Sequence, residues 1–130
     1  MPLQYITIDQ KKHPVHFGHW ALSLIQDELN IKDYSAIFEA DVISNPRNQF
    51  AIAAIGMNEG SRQEKKESNY TAVDIADLCD NSPQILLDIF AIFTKQVIDL
   101  SAKKIGGDEK KFKEKVNKKI KESLSTDSSK

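Results

Sequence analysis

The chain has 130 residues, of which 40% are hydrophobic and 28% are charged, with a net charge of −1. This composition is ordinary for a soluble globular domain that buries its own core, and it excludes a need for metal or disulfide support. Its single cysteine, Cys79, excludes an internal disulfide and lies in the apolar-periodic stretch VDIADLC. We interpret Cys79 as a small buried hydrophobe rather than a reactive thiol.

Charge is divided unevenly along the chain. Residues 1–102 contain 8 Lys and Arg and 14 Asp and Glu, a net charge of −6. Residues 103–130 contain 10 Lys and 5 Asp and Glu, a net charge of +5. The sequence therefore predicts an acidic body followed by a basic tail.

The sequence predicts neither a secretory signal nor a membrane span. The start, MPLQYITIDQ, alternates apolar and polar residues and has no continuous apolar stretch. The longest dense apolar run, ILLDIFAIF, is interrupted by Asp88 and is too short to cross a bilayer. We therefore expect a soluble, intracellular protein with no membrane partner.

The first seventeen residues predict a β-hairpin. In LQYITID, Ile6 and Ile8 fall on one face of a strand because side chains alternate. The polar residues 9–12 predict a four-residue turn. In the return strand, HPVHF, Val15 and Phe17 again share a face.

The pattern after this hairpin is helical. HWALSLIQDEL predicts a first helix, and Asp33 is placed to cap a short second helix, YSAIFEADVI. Pro46 starts a third helix. Its apolar positions at spacings of three and four are Phe50, Ala53, Ala54 and Met57. Residues 58–69, NEGSRQEKKESN, contain no apolar residue and predict a polar loop.

Two more helices follow this predicted loop. Thr71 and Asp74 form a start similar to a capping box, with Asp in place of the usual Glu or Gln. Ser82-Pro83 begins the last helix of the body, and Gly106-Gly107 ends it. Its apolar stripe, in which we expect Phe93 to be deeply buried, is Ile85, Ile89, Phe93, Val97 and Leu100.

Residues 108–130 differ from the body in composition. Apolar residues recur every four positions among lysines and glutamates, at Phe112, Val116, Ile120 and Leu124. This stripe is too thin to hold a helix together alone. We therefore predict an α+β fold in which an N-terminal β-hairpin packs on a mostly α-helical body, residues 1–107, followed by a mobile basic tail, residues 108–130.

The sequence offers no recognisable reactive centre. The three histidines, His13, His16 and His19, are close in sequence, but strand alternation points His13 and His16 in opposite directions. Zinc requires three or four converging ligands, and there is no HExxH or CxxC to supply them. Neither a phosphate-binding GxxxxGK[ST] nor a GxSxG turn occurs. We expect no metal, no cofactor and no catalytic residue.

One cluster of carboxylates also has a plain explanation. Three aspartates recur at every third position of the fourth helix, at Asp74, Asp77 and Asp80. We interpret them as a solvated face near the start of a helix.

Two binding hypotheses remain for the tail. A lysine cluster is typical of nucleic-acid binding, although the tail has no arginine and its only aromatic residue is Phe112. Alternatively, the tail folds on a partner helix. In either case the candidate binding residues are Phe112, Val116, Ile120, Leu124, Lys113, Lys118 and Lys119.

The order of these signals resembles that of the tail assembly chaperones of long-tailed, siphovirus-type bacteriophages. The resemblance covers about residues 4–102. It is carried by the hairpin ITIDQKKHPVHFG, by WAL at the start of a helix, and by the Thr-led helix TAVDIADLCDN. The stretch AIAAIGM departs from the pattern, because many members have an aromatic residue there in a Tyr-Ala-Gly-Leu-like stretch.

The resemblance implies a holdase that is not an enzyme. Such a protein coats the long helical tape-measure protein until tail-tube subunits polymerise around it, acts in the host cytoplasm and is absent from the mature virion. The implied partner is the tape-measure protein, and the tail-tube protein and further copies of the chain remain open as additional partners. The alternative is a small nucleic-acid-associated regulator that uses the lysine-rich tail.

Overall fold

The computed structural model describes residues 3–105. A two-stranded antiparallel hairpin packs against a mostly helical body, so the predicted α+β class is confirmed. The elements in chain order are β1 (Gln4–Ile8), β2 (Lys11–Val15), α1 (His19–Leu29), a 3₁₀ helix (Tyr34–Phe38), α2 (Ala40–Ile43), α3 (Pro46–Gln63), α4 (Ala72–Asn81) and α5 (Gln84–Ile105). The predicted helix end at Gly106-Gly107 and the predicted tail lie outside the described residues.

The hairpin turn is tighter than the sequence suggested. Ile8 pairs with Lys11, so the turn consists of Asp9 and Gln10 alone, with φ values of 50° and 68°. Positive φ at both residues is the geometry of a two-residue turn whose twist matches that of the strands. The predicted four-residue turn is therefore wrong, because Lys11 and Lys12 belong to the second strand.

One face of the hairpin lies on the body. Ile6 and Ile8 are buried, which confirms the predicted alternation in β1. Val15 and Phe17 are buried as well, but the return strand does not alternate as predicted, because Pro14 is also buried and β2 ends at Val15, before Phe17.

The opposite face carries the exposed Thr7 and Lys12, but also Pro14, which is buried where its backbone meets Gly60 of α3. The hairpin thus packs against the helices and buries its apolar side chains there.

The second strand approaches α3 closely because two glycines of that helix lie one turn apart. A Cβ atom at Gly60 would overlap the carbonyl group of Pro14 and lie 2.6 Å from the backbone nitrogen of Val15. A Cβ atom at Gly56 would fall among the ring carbons of Phe17, with two of them at 2.6 and 2.7 Å. Only glycine permits backbone and ring to approach this closely.

Helix α3 extends six residues into the segment predicted as a polar loop. The sequence predicts a loop over residues 58–69, but α3 ends at Gln63, so the prediction is wrong for residues 58–63. Glu59 and Gly60 are buried there because β2 covers this turn of the helix. Polar composition therefore did not indicate exposure at this end of α3.

The predicted helix YSAIFEADVI is divided in two. Asp33 caps its start as predicted, since its side chain accepts a hydrogen bond from Ser35 N at 3.0 Å. Glu39 is extended, with φ −63° and ψ 140°, and separates the 3₁₀ helix from α2. The prediction of one continuous helix over these residues is therefore wrong. The predicted starts of α1 at His19 and of α3 at Pro46 are confirmed.

Phe93 lies at the centre of the core. Its side chain is fully buried, which confirms the prediction, and its ring packs against three others. The ring centroids are 4.9 Å away for Phe17, 5.6 Å for Phe90 and 5.7 Å for Phe38. These rings come from three separate parts of the chain, so Phe93 joins α5 to the hairpin exit and to the 3₁₀ helix.

Replacing Phe93 with alanine should lower the free energy of unfolding by about 3–5 kcal/mol, because it opens a cavity among three aromatic rings. Chemical denaturation followed by circular dichroism measures this loss. Trp20→Ala is the control, because Trp20 is 58% exposed and its removal should change stability by at most about 0.5 kcal/mol. Equal effects of the two substitutions would contradict this description of the core.

Gly60→Ala should also destabilise the protein, by about 1–3 kcal/mol, because the added methyl group meets rigid backbone of β2. This outcome opposes helix propensity, which favours alanine over glycine by about 1 kcal/mol. Gln63→Ala, at an exposed position of the same helix, is the matched control. A rise in the unfolding midpoint of Gly60→Ala would show that β2 does not lie on this turn of α3.

Candidate functional site

The side chains predicted to bind a partner all lie outside the described residues. They are Phe112, Val116, Ile120, Leu124, Lys113, Lys118 and Lys119. Within residues 3–105, the surface around the start of α4 combines apolar side chains with exposed carboxylates. This surface is the candidate site.

One asparagine of α3 holds the segment that leads into α4. Asn58 Nδ2 donates to the carbonyl oxygen of Tyr70 at 2.9 Å. Asn58 Oδ1 accepts from Tyr70 N at 2.8 Å and from Ser68 Oγ at 2.9 Å. Both ends of the amide are therefore used, and the segment 68–70 is fixed against α3.

A capping box then sets the direction of α4. Thr71 Oγ1 accepts from Asp74 N at 3.2 Å, and Thr71 N donates to Asp74 Oδ2 at 2.9 Å, as the sequence predicted. With α4 beginning at this position, the side chain of Ile75 is buried in the core. Asp74, Asp77 and Asp80 are exposed. The predicted solvated face of α4 is confirmed.

The segment 68–70 and α4 border an open cleft of about 560 Å³, which we call the acidic cleft. Its lining residues are Ser68, Asn69, Tyr70, Asp74, Asp77, Leu78 and Asn81. Tyr70 and Leu78 are half-buried against the core and supply apolar contact, whereas Asp74 and Asp77 are exposed carboxylates. An apolar side chain flanked by lysines or arginines is complementary to such a surface.

A neighbouring cleft of about 640 Å³ shares Ser68 and Asn69 with the acidic cleft but differs in charge balance. Its buried carboxylate, Glu59, accepts hydrogen bonds from Arg62 Nε at 3.0 Å and Arg62 Nη2 at 2.8 Å. The ammonium group of Lys66 lies 3.5 Å from a carboxylate oxygen of Glu64. Three of the four charged residues that line this cleft, Glu59, Arg62 and Lys66, thus have partners within the chain, so it is the weaker candidate for a charged ligand.

Large apolar side chains are also exposed outside the cleft. Within the described part of the chain, the large ones are Tyr5, Trp20, Val73 and Leu87. Val73 is 68% exposed in the first turn of α4, directly before Asp74, and Leu87 is 43% exposed near the start of α5. Both belong to the pair of helices that carries the exposed aspartates.

The histidines and the cysteine lie apart from any cluster of possible metal ligands in the described part of the chain. Among residues 3–105, no three His, Cys, Asp or Glu side chains are arranged to hold a metal ion. Cys79 is half-buried, and this burial raises the pKa of its thiol, which favours the unreactive protonated form. The predicted burial of Cys79 is thus only partly met, and its side chain packs against the core.

His16 lies between β2 and α3 and is half-buried. Its backbone N–H donates to the carbonyl oxygen of Gly56 at 3.0 Å, while its Nδ1 atom is buried without a hydrogen-bond partner among residues 3–105. Burial lowers the pKa of His16 from its ordinary value of 6.5, and the nearby Glu59 carboxylate opposes this change. The folded chain therefore favours the neutral imidazole.

Because the pKa of His16 is lower in the folded chain than in the unfolded chain, His16 should reduce the free energy of unfolding as the pH falls. The unfolded chain binds the proton more readily, so the contribution of neutral His16 is present above about pH 6.5 and is lost as the pH falls toward the folded-state pKa. In His16→Gln, the decline in unfolding free energy between about pH 7 and pH 5 should be shallower than in the parent chain. Denaturation series across this range measure the slope.

The matched control is His19→Gln, which removes an exposed imidazole at the start of α1 and should follow the parent curve. Parallel curves for His16→Gln and the parent chain would contradict the assignment of acid sensitivity to His16.

Comparison of the chain with protein-family models, with curated proteins and with solved structures gives no match. Within residues 3–105, no helix combines the length and the apolar character that crossing a membrane requires. Two features remain as guides to function, namely the order of signals in the sequence and the acidic cleft.

Proposed function

We propose that the chain is a phage tail assembly chaperone. It binds the tape-measure protein without catalysis and keeps it soluble before tail-tube polymerisation, in the cytoplasm of the host and not in the finished virion. The observation that carries this proposal is the acidic cleft, an open surface with apolar lining and exposed carboxylates. A long helical protein offers a matching ligand, an amphipathic helix with basic residues beside its apolar stripe.

Two parts of the chain hold this partner. The acidic cleft takes the apolar and basic side chains of one helical turn. The predicted tail supplies a second contact through its apolar stripe and through lysines such as Lys113, Lys118 and Lys119. Two weak contacts joined by one chain bind more tightly than either alone, because the second forms at high local concentration. The tail-tube protein and further copies of the chain are secondary partners of the same surfaces.

The charge of the body favours this function over a nucleic-acid regulator. Residues 72–100, which form α4 and most of α5, contain five aspartates and one lysine. Such a surface repels phosphates, so nucleic acid would have to be held by the tail alone. A helical protein partner uses both the acidic and the basic parts of the chain.

Capture of a co-expressed tape-measure fragment should depend on both parts. Truncation after Gly107 should weaken capture and leave the unfolding midpoint within a few degrees, because a thin apolar stripe adds little cooperative contact. Asp77→Lys should weaken capture in the full chain, because it reverses a charge in the acidic cleft. The measurement is the amount of soluble fragment that co-purifies with the chain.

Asp27→Lys reverses a charge at an exposed position of α1 and should leave capture unchanged. If the truncated chain unfolds, the tail belongs to the body and the domain boundary is wrong. If no variant changes capture, neither part is the binding surface. DNA binding that weakens steeply with salt, together with an absence of capture, would favour the nucleic-acid regulator.

A further inference from the structure

The two edges of the hairpin differ in what lies beside them. Helix α3 runs along the outer edge of β2, where the carbonyl group of Pro14 meets Gly60. Directly after β2, His16 N donates to the carbonyl oxygen of Gly56 at 3.0 Å. Pro14 also has no N–H to donate to a further strand. The edge of β2 is therefore closed, and the outer edge of β1 is the one at which the sheet can grow.

The register of the hairpin identifies the groups of β1 that face outward. The two-residue turn places Ile8 and Lys11 in a hydrogen-bonded pair. Such pairs alternate with non-hydrogen-bonded ones, so the N–H and C=O groups of Tyr5 and Thr7 point away from β2. Pro14 lies opposite Tyr5 and lacks an N–H, which agrees with this register. Within the described part of the chain, these outward groups have no hydrogen-bond partner.

The side chains on the solvent face of β1 leave its outer edge accessible. Tyr5 Oη donates to Glu64 Oε2 at 2.8 Å, so the ring of Tyr5 extends across β2 toward the end of α3. Thr7 is short and exposed. Strand β1, QYITI, has no charge, no proline and no bulge, which are the features with which edge strands avoid pairing. An extended chain can therefore reach the outward groups of β1.

A second copy of the chain fits this edge poorly. Helix α5 contacts β1 and lies on the core side of the strand, where Ile6 and Ile8 are buried. Two copies paired antiparallel through β1 would place their α5 helices below strands that are only about 4.8 Å apart. Packed helices need about 8–10 Å between their axes. An extended segment without an attached helix avoids this conflict.

We propose that the outer edge of β1 binds an extended, uncharged segment of a partner protein as a third, antiparallel strand. The backbone of this segment bonds the N–H and C=O groups of Tyr5 and Thr7. Its residues opposite these two lie on the solvent face, where β-branched polar residues suit the neighbouring Thr7. The intervening residues lie beside Ile6 on the core side and are apolar.

This edge and the acidic cleft are separate surfaces that share no residue. The cleft takes a helix through side chains, whereas the edge takes an extended segment through backbone groups. The inference therefore goes beyond the proposed function and does not rest on it. Failure to capture a tape-measure fragment would leave the edge as a binding site, and failure at the edge would leave the capture experiment unaffected.

Amide hydrogen exchange of the full chain, followed by NMR, tests the proposal with the peptide KTVTVTE, acetylated and amidated at its ends. In the chain alone, the amides of Tyr5 and Thr7 should exchange rapidly, whereas those of Ile6 and Ile8 are protected by β2. At about ten times the Kd of the peptide, exchange at Tyr5 and Thr7 should slow by about tenfold, because these amides exchange only from the unbound chain.

Two methylated peptides make the result specific for a strand. In antiparallel pairing with the valines on the core side, the threonines bond β1, so N-methylation of the threonines should abolish the protection. N-methylation of the valines removes only N–H groups that point away from β1 and should preserve it. In the chain, Thr7→Lys should weaken the protection at Tyr5, because a charge on an edge strand opposes pairing. Lys12→Gln, at an exposed position of β2, is the matched control and should leave it unchanged.

Equal losses with the two methylated peptides would overturn the proposal, because the peptide would then bind through its side chains. Protection of Tyr5 and Thr7 before any peptide is added would overturn it as well, since the edge would already be occupied. A dependence of that protection on protein concentration would identify a second copy as the occupant. No slowing of exchange at the solubility limit of the peptide would also contradict the proposal.

Discussion

The fold depends on the close approach of the hairpin to α3 at Gly56 and Gly60. Because these residues have no Cβ, β2 lies directly on the helix and Phe17 enters the core above Gly56. That position brings the ring of Phe17 to 4.9 Å from Phe93, the residue that joins three parts of the chain. The same stretch of α3 carries Asn58, between the two glycines, and Asn58 anchors the segment before α4. The packing of the hairpin and the border of the acidic cleft therefore depend on neighbouring residues of one helix.

Apolar periodicity predicts the core-facing residues of β1 and α5. Ile6 and Ile8 alternate with exposed residues, and the stripe of α5 placed Phe93 at the centre, because side-chain direction follows the period of each element. The same reasoning failed at the end of α3. Burial there comes from backbone contact between β2 and Gly60, which leaves no apolar side chains to detect. The spacing of Gly56 and Gly60, one helical turn apart, was the signal that the sequence offered.

The candidate site was only partly predictable for a related reason. Exposure of Asp74 and Asp77 follows from the helical period and from a capping box that is visible in the sequence. The cleft beside them depends on Asn58, which binds the backbone of Tyr70 twelve residues later. Such a contact joins polar residues that follow no apolar pattern, and the sequence predicts a loop where Asn58 lies in α3. Periodicity thus predicts which side chains face solvent, whereas the shape between them follows from hydrogen bonds distant in sequence.

The distribution of paired and unpaired carboxylates separates structural charge from charge available for binding. Glu59 is buried and would be costly to desolvate without the two hydrogen bonds from Arg62, so this pair serves the fold. Asp77 is hydrated and costs the fold little. Exposed ion pairs contribute at most about 1 kcal/mol each, so the strength of binding at the acidic cleft must come from apolar contact with Tyr70 and Leu78. Charge there chiefly speeds association and orients the ligand. For the proposed chaperone this balance is suitable, because its partner must be caught quickly and later released to the growing tail tube.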